Sequence, residues 1–188
     1  MTEESPFTVD ADWLQERLGQ PGLSIVDAPW YLPAQKRDAR AEYQAGHVPG
    51  AVFLDQDAVS DQASPLPHTL ASPADFAQFV GSMGISADDT IVVYDGPGLF
   101  SAPRAWWMFR VMGVFQTYVL DGGLDRWKAE GRPLTAEPTK VAPCVFHADF
   151  DAAGLVGLAE MRRIVETGQS QVADARPAGR FTGAEPEP

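Results

Sequence analysis

Two hydrophobic periods alternate along the chain, and their alternation predicts its elements. Phe76, Phe79, Val80 and Met83 recur at i, i+3, i+4 and i+7, the single apolar stripe of a helix. Ser72-Pro73-Ala74-Asp75 in front of them supplies a capping hydroxyl, a proline at the first helical position and an acid in the first turn, and Gly84 follows as a natural stop. The next run, Thr90-Ile91-Val92-Val93-Tyr94, is short, β-branched and apolar on both faces, as in a strand buried inside a parallel sheet. Helices are then expected over 102–112 and 124–130, closed by Gly113 and Gly131, with a strand over 118–120 between them, closed by Asp121-Gly122-Gly123. Upstream, 12–18 and 37–45 read as helices, and 23–27 and 51–54 as strands.

Strands and helices that alternate in this way predict an α/β fold: a doubly wound, mainly parallel sheet with helices on both faces. In such sheets the site lies at the C-terminal ends of the strands, where Asp27, Asp55, Asp95 and Asp121 stand. The first domain is expected to cover 1–134. The segment 135–155, with Pro138 and Pro143 and little periodicity, reads as a linker with at most one extended stretch. From 156 the pattern restarts: Leu158, Met161 and Val165 mark an amphipathic helix ended by Gly168, and Gln171-Val172-Ala173-Asp174-Ala175 echoes Ser24-Ile25-Val26-Asp27-Ala28. A second copy of the unit begins at 156–188, too short to bury a core alone, so it is expected to dock on the first domain or fray. Its last residues, 179–188, stop in a loop, as a truncated second copy would.

Composition narrows the function. At 45% hydrophobic and 21% charged residues, the 188-residue chain has the makings of an ordinary core. No apolar run approaches the roughly 18 residues of a membrane span, and Met1-Thr2-Glu3-Glu4 is acidic where a signal peptide is basic, so the cytoplasm is the expected location. A net charge of −12 opposes attraction to nucleic acid or anionic lipid, and neither is expected as a partner. The single cysteine, Cys144, excludes an internal disulfide and suits a reducing compartment. Its neighbours Pro143, Val145 and Phe146 include no cation to lower a thiol pKa, and it reads as structural. His47, His68 and His147 are widely spaced without cysteine companions, so no metal site is expected. Gly96 and Gly98 lack the third glycine of a dinucleotide fingerprint, and no cofactor is indicated. His47 precedes the Val48-Pro49-Gly50 turn and reads as structural, while Trp106, Trp107, Met108 and Phe109 read as packing residues on a helix.

Several segments together resemble the two-domain rhodanese and 3-mercaptopyruvate sulfurtransferase family: Trp30-Tyr31-Leu32-Pro33, Arg37-Asp38-Ala39-Arg40-Ala41-Glu42-Tyr43, His47-Val48-Pro49-Gly50-Ala51, Ser101-Ala102-Pro103-Arg104-Ala105-Trp106-Trp107-Met108-Phe109-Arg110 and Asp121-Gly122-Gly123. The resemblance spans essentially the whole chain. It implies two similar α/β domains with the active site in the cleft between them and a persulfide-forming cysteine on a loop of the second. The matching loop of the first domain follows Tyr94, and there this chain has Asp95. A carboxylate cannot carry transferable sulfur, because the chemistry needs a thiolate that attacks sulfur and later releases it. The first domain is therefore expected to be silent by itself, with the nucleophilic cysteine beyond this chain.

The resemblance also assigns roles. Arg180 matches the arginine that binds the carboxylate of the donor, which a planar guanidinium can grip with two parallel hydrogen bonds. Asp57 and His68 match a first-domain pair that the mercaptopyruvate branch uses beside the thiol, His68 relaying a proton and Asp57 orienting it. The alternative for them is two exposed loop residues that never meet. Thiosulfate-type relatives usually lack that histidine, so the expected reaction is sulfur transfer from 3-mercaptopyruvate to cyanide or a thiol acceptor through a cysteine persulfide. Thiosulfate sulfurtransferase is the rival enzyme, and a noncatalytic rhodanese-like module that binds a protein or small anion, which Asp95 would permit, is the rival of another kind. The missing C-terminal domain is the expected protein partner.

Overall fold

The computed structural model describes residues 5–186; the acidic start at 1–4 and the final Glu187-Pro188 lie outside the described residues. The chain divides into two compact units, 1–151 and 152–188.

In the first unit five parallel strands form one sheet in the order β1-β5-β4-β2-β3: β1 (Thr8–Val9), β2 (Leu23–Asp27), β3 (Ala51–Phe53), β4 (Thr90–Tyr94) and β5 (Thr117–Leu120). Register runs Ile25 against Val92 and Ala51, and Val93 against Val119. Successive side chains on a strand point to opposite faces, so each central strand feeds two cores. Val26, Ile91, Val93 and Val119 face one side, where they pack with Phe76 and Val80 of α3 (Pro73–Ser82) and Met108 and Phe109 of α4 (Ala102–Val111). Ile25, Val92, Tyr94 and Leu120 face the other, against Leu14 of α1 (Ala11–Gln15) and Trp127 of α5 (Gly123–Ala129). This is the expected two-faced α/β sheet. The remaining helix of the unit is α2 (Ala39–Ala45), which begins later than the expected 37 because the Asp38 side chain caps it, accepting from Ala41 N–H at 3.0 Å.

Local signals account for the helix boundaries. The Ser72 hydroxyl accepts from Asp75 N–H at 3.2 Å and donates to its carboxyl at 2.6 Å, and Gly84 ends the turn after α3 at φ +75°. His47 is fully buried, stacked on Tyr43 at 3.9 Å with its Nδ1 2.8 Å from the Tyr43 carbonyl, a structural histidine.

The stretch read as a linker lies along the first unit as far as Asp151. Cys144 N–H donates to the Gly81 carbonyl at 2.9 Å, Asp149 N–H to Met112 O at 2.9 Å, and the Phe146 ring is buried against Phe76 and Phe109. A side chain at Gly81 would meet the Cys144 carbonyl at 2.6 Å, so the close approach of this stretch to α3 requires glycine there. Cys144 is exposed, its thiol 3.1 Å from the Ile85 carbonyl.

The second unit contains α6 (Leu158–Thr167) and α7 (Ala178–Phe181). The expected helix is present, ended by Gly168 in the left-handed region. The expected strand over 171–175 is not formed; a parallel strand needs a hydrogen-bonded neighbour, and the second unit has none among its described residues.

Candidate active site

The strand order places the ends of β2 and β4 side by side at the centre of the sheet, and three loops converge there. They are tied by two buried polar side chains. The Ser101 hydroxyl donates to the Ala28 carbonyl at 2.9 Å and accepts from Trp30 N–H at 3.0 Å. The Gln56 amide donates to Ala28 O at 2.6 Å and to Ser101 O at 3.1 Å. A buried donor or acceptor left unmade costs more than a made bond contributes, so these ties fix the loop after β2, the loop after β3 and the start of α4 in one arrangement.

On that frame Asp57 and His68 meet. Asp55 organises the turn: its carboxyl accepts from the N–H groups of Asp57 and Ala58 at 3.2 and 3.1 Å. Asp57 then accepts at a single oxygen from His68 Nδ1 at 3.0 Å and from the Trp30 indole N–H at 3.1 Å. The Trp30 and His68 rings stand edge to face, centroids 5.0 Å apart. With Asp57 as acceptor, Nδ1 carries the proton and Nε2 is left for reacting groups, the arrangement in which a carboxylate orients a histidine for proton transfer. His68 sits at φ +57°, in the left-handed region, on a loop closed by the Ser60–Leu70 bridge. The cleft beside the pair, bounded by Trp30, Asp57, Gln62, Leu66 and His68, has a volume of about 530 Å³. Cys144 is not among its lining residues.

A second cleft, of about 360 Å³, lies across Trp30 and contains Arg37 and Arg40. Both cations there are matched within the chain. Arg37 forms a bidentate pair with Glu42 at 2.8 and 2.5 Å, which holds the Glu42 carboxyl below its ordinary range, and Arg40 lies 3.5 Å from Asp55.

Asp95 occupies the loop between β4 and α4. Its carboxyl is buried and accepts from the backbone N–H groups of Phe100 at 2.9 Å, Ser101 at 2.6 Å, Ala102 at 2.8 Å and Gly98. The loop folds around this one group as an anion-binding nest at the N-terminus of α4. Gly98, at φ +102°, passes so close to Gly122 and Gly123 that a side chain would collide with their backbone.

The nest of N–H groups around the Asp95 carboxyl sits on a strand-to-helix loop of the expected α/β topology, and comparison with known proteins identifies the family. The Rhodanese-like domain family matches residues 10–130. The chain belongs to that family. It is 43% identical over 187 residues to human 3-mercaptopyruvate sulfurtransferase, covering 96% of this chain and 63% of that protein. To thiosulfate sulfurtransferase of Gallus gallus it is 46% identical over 183 residues, covering 94% and 63%. Among solved structures, SseA of Escherichia coli, described among the 3-mercaptopyruvate sulfotransferases, superposes with a TM-score of 0.89 at 40% identity over 94% of this chain and 68% of SseA. The rhodanese-like chain thus spans a little under two thirds of the curated relatives it matches.

Two further residues of the site were given no role of their own by the sequence, although Asp27 was placed at a strand end and Arg104 within the 101–110 segment. Asp27, at the end of β2, is buried beside Tyr94, and its carboxyl is pushed up to about 7, chiefly by burial; the hydrogen bond from Tyr94 opposes the rise and the neighbouring Asp95 adds to it. Arg104, in the first turn of α4, donates through Nη2 to the His68 carbonyl. Arg180 lies in α7, in the second unit, while Asp57 and His68 belong to the first.

Proposed function

We propose that the chain forms the non-nucleophilic half of a 3-mercaptopyruvate sulfurtransferase, moving sulfur to a thiol or cyanide through a cysteine persulfide supplied from outside these 188 residues. The Asp57–His68 contact at 3.0 Å carries this reading. A cysteine thiolate attacks the donor sulfur, the donor C–S bond breaks, and its electron pair leaves on carbon as the enolate of pyruvate. As its sulfur is attacked the donor gives up its S–H proton to the unprotonated Nε2 of His68, and the imidazolium so formed, held by Asp57, returns that proton to the carbon as pyruvate leaves. The acceptor thiolate then attacks the outer sulfur of the persulfide and returns the cysteine as thiolate. With thiosulfate the leaving group is sulfite, which departs without protonation at carbon, so the pair has no corresponding task. Arg180 is the proposed clamp for the donor carboxylate, and Asp95, its nest already filled, is the proposed silent counterpart of the nucleophilic position.

The similar identity to relatives named for each donor, 43% and 46%, favours keeping thiosulfate transfer as the second reading. Steady-state kinetics of the protein that carries both this chain and the nucleophilic cysteine separates the two: the proposal expects a higher kcat/KM for 3-mercaptopyruvate, and a preference for thiosulfate would refute it. The 188-residue chain alone is expected to turn over neither donor, with Cys144→Ser changing nothing. Turnover abolished by that substitution would make Cys144 the nucleophile. The cytoplasm is the proposed compartment, on the strength of the lone cysteine, and cell fractionation tests it.

A further inference from the structure

Arg104 stands where local rules disfavour a cation. It occupies the first turn of α4, at the positive end of the helix dipole, which favours acids. Its side chain is half-buried, and Nε is buried with no hydrogen-bond partner. Burial pulls the guanidinium pKa down, and the charge of Asp57 nearby offsets part of that. A residue held against dipole and desolvation together needs a compensating contact. That contact is the hydrogen bond that Nη2 donates to the His68 carbonyl. That carbonyl belongs to a residue in the left-handed region, where a non-glycine backbone persists only if its surroundings hold it.

We infer that Arg104 is a positioning residue that grips the His68 backbone and so keeps the imidazole Nδ1 on Asp57. The inference rests on the proton-relay reading of the pair. Released from Arg104, His68 relaxes to ordinary backbone angles, its ring leaves Asp57, and Nδ1–H loses its acceptor. Arg104 acts through the His68 backbone. Its effect is on which ring nitrogen carries the proton: Asp57 selects the Nδ1–H form, and Arg104 keeps Asp57 within reach.

Nitrogen-15 NMR of the histidine rings in the 188-residue chain tests this without activity. Its three histidines are assigned by His47→Gln, His68→Gln and His147→Gln, and spectra are taken where the rings are neutral. The wild-type His68 is expected in the Nδ1–H form, Asp57→Asn to lose that bias, and Arg104→Met to lose it to a similar extent. Arg104→Lys, which keeps a cation and a donor, should retain part of it and serves if the methionine variant does not fold. An Nδ1–H bias intact in the folded Arg104 variants but lost in Asp57→Asn would overturn the positioning role and leave the relay reading standing. A bias absent from the wild type, or unmoved by Asp57→Asn, would remove the relay reading and the inference with it.

Discussion

At Asp95 the loop after β4 turns its N–H groups onto a side chain of its own. Removing that acceptor leaves several buried donors unpaired, each costing about 1–3 kcal/mol. Asp95→Ala should therefore destabilise the chain by roughly 3 kcal/mol or more, read as a lower urea midpoint; an unchanged midpoint would mean that the nest does not need its occupant. Asp27 makes a different demand. Its carboxyl sits near 7 in the folded protein and returns to about 3.8 when unfolded, so the folded state binds the proton more tightly. Its contribution is complete below about pH 4 and is lost as the pH rises through about 7, on the order of 4 kcal/mol at most. Asp27→Asn, which keeps an acceptor for Tyr94, should gain stability relative to the wild type between pH 4 and 8, and a difference that stays flat across that range would contradict the burial argument. These residues also mark how far a sequence can be read. The place of Asp95 after β4, and Asp57 and His68 as a candidate pair, were legible in the sequence, but the meeting of that pair was not. It goes with a left-handed backbone at His68 and with contacts from Trp30, on the loop after β2, and Arg104, on α4, both distant in sequence.

Among the elements, those with a strong period were the legible ones: α3 and β4 lie where stripe, cap and β-branched run put them. Edge strand β1 is two residues long, too short to show a period, and exists through its pairing with β5. The 171–175 run has the composition of a strand and no neighbour to pair with, which composition cannot reveal. The 135–151 stretch has no period because irregular backbone packs it, through Phe146 and the approach to Gly81. Helix propensity alone would make Gly81→Ala stabilising by about 1 kcal/mol. The 2.6 Å approach of the Cys144 carbonyl reverses the sign, and a loss of about 1–3 kcal/mol in urea unfolding is expected. A gain would show that the stretch is free to move away.

For the whole molecule, the first unit has a two-sided core and the Asp57–His68 contact, while none of the described residues of the second unit is buried. The amphipathic period of α6 was legible in the sequence, and the helix is formed in a unit none of whose described residues is buried. That this unit is too short to bury a core alone was legible as well. A silent first domain that lends a proton relay to a thiol elsewhere is the picture that joins the Asp95 nest to the Asp57–His68 contact. The most direct test is His68→Ala in the protein that carries this chain together with the nucleophilic cysteine, with both donors assayed side by side. The account predicts a fall in kcat/KM of about 100-fold for 3-mercaptopyruvate and little change for thiosulfate; an equal fall for both donors, or none for 3-mercaptopyruvate, would contradict it.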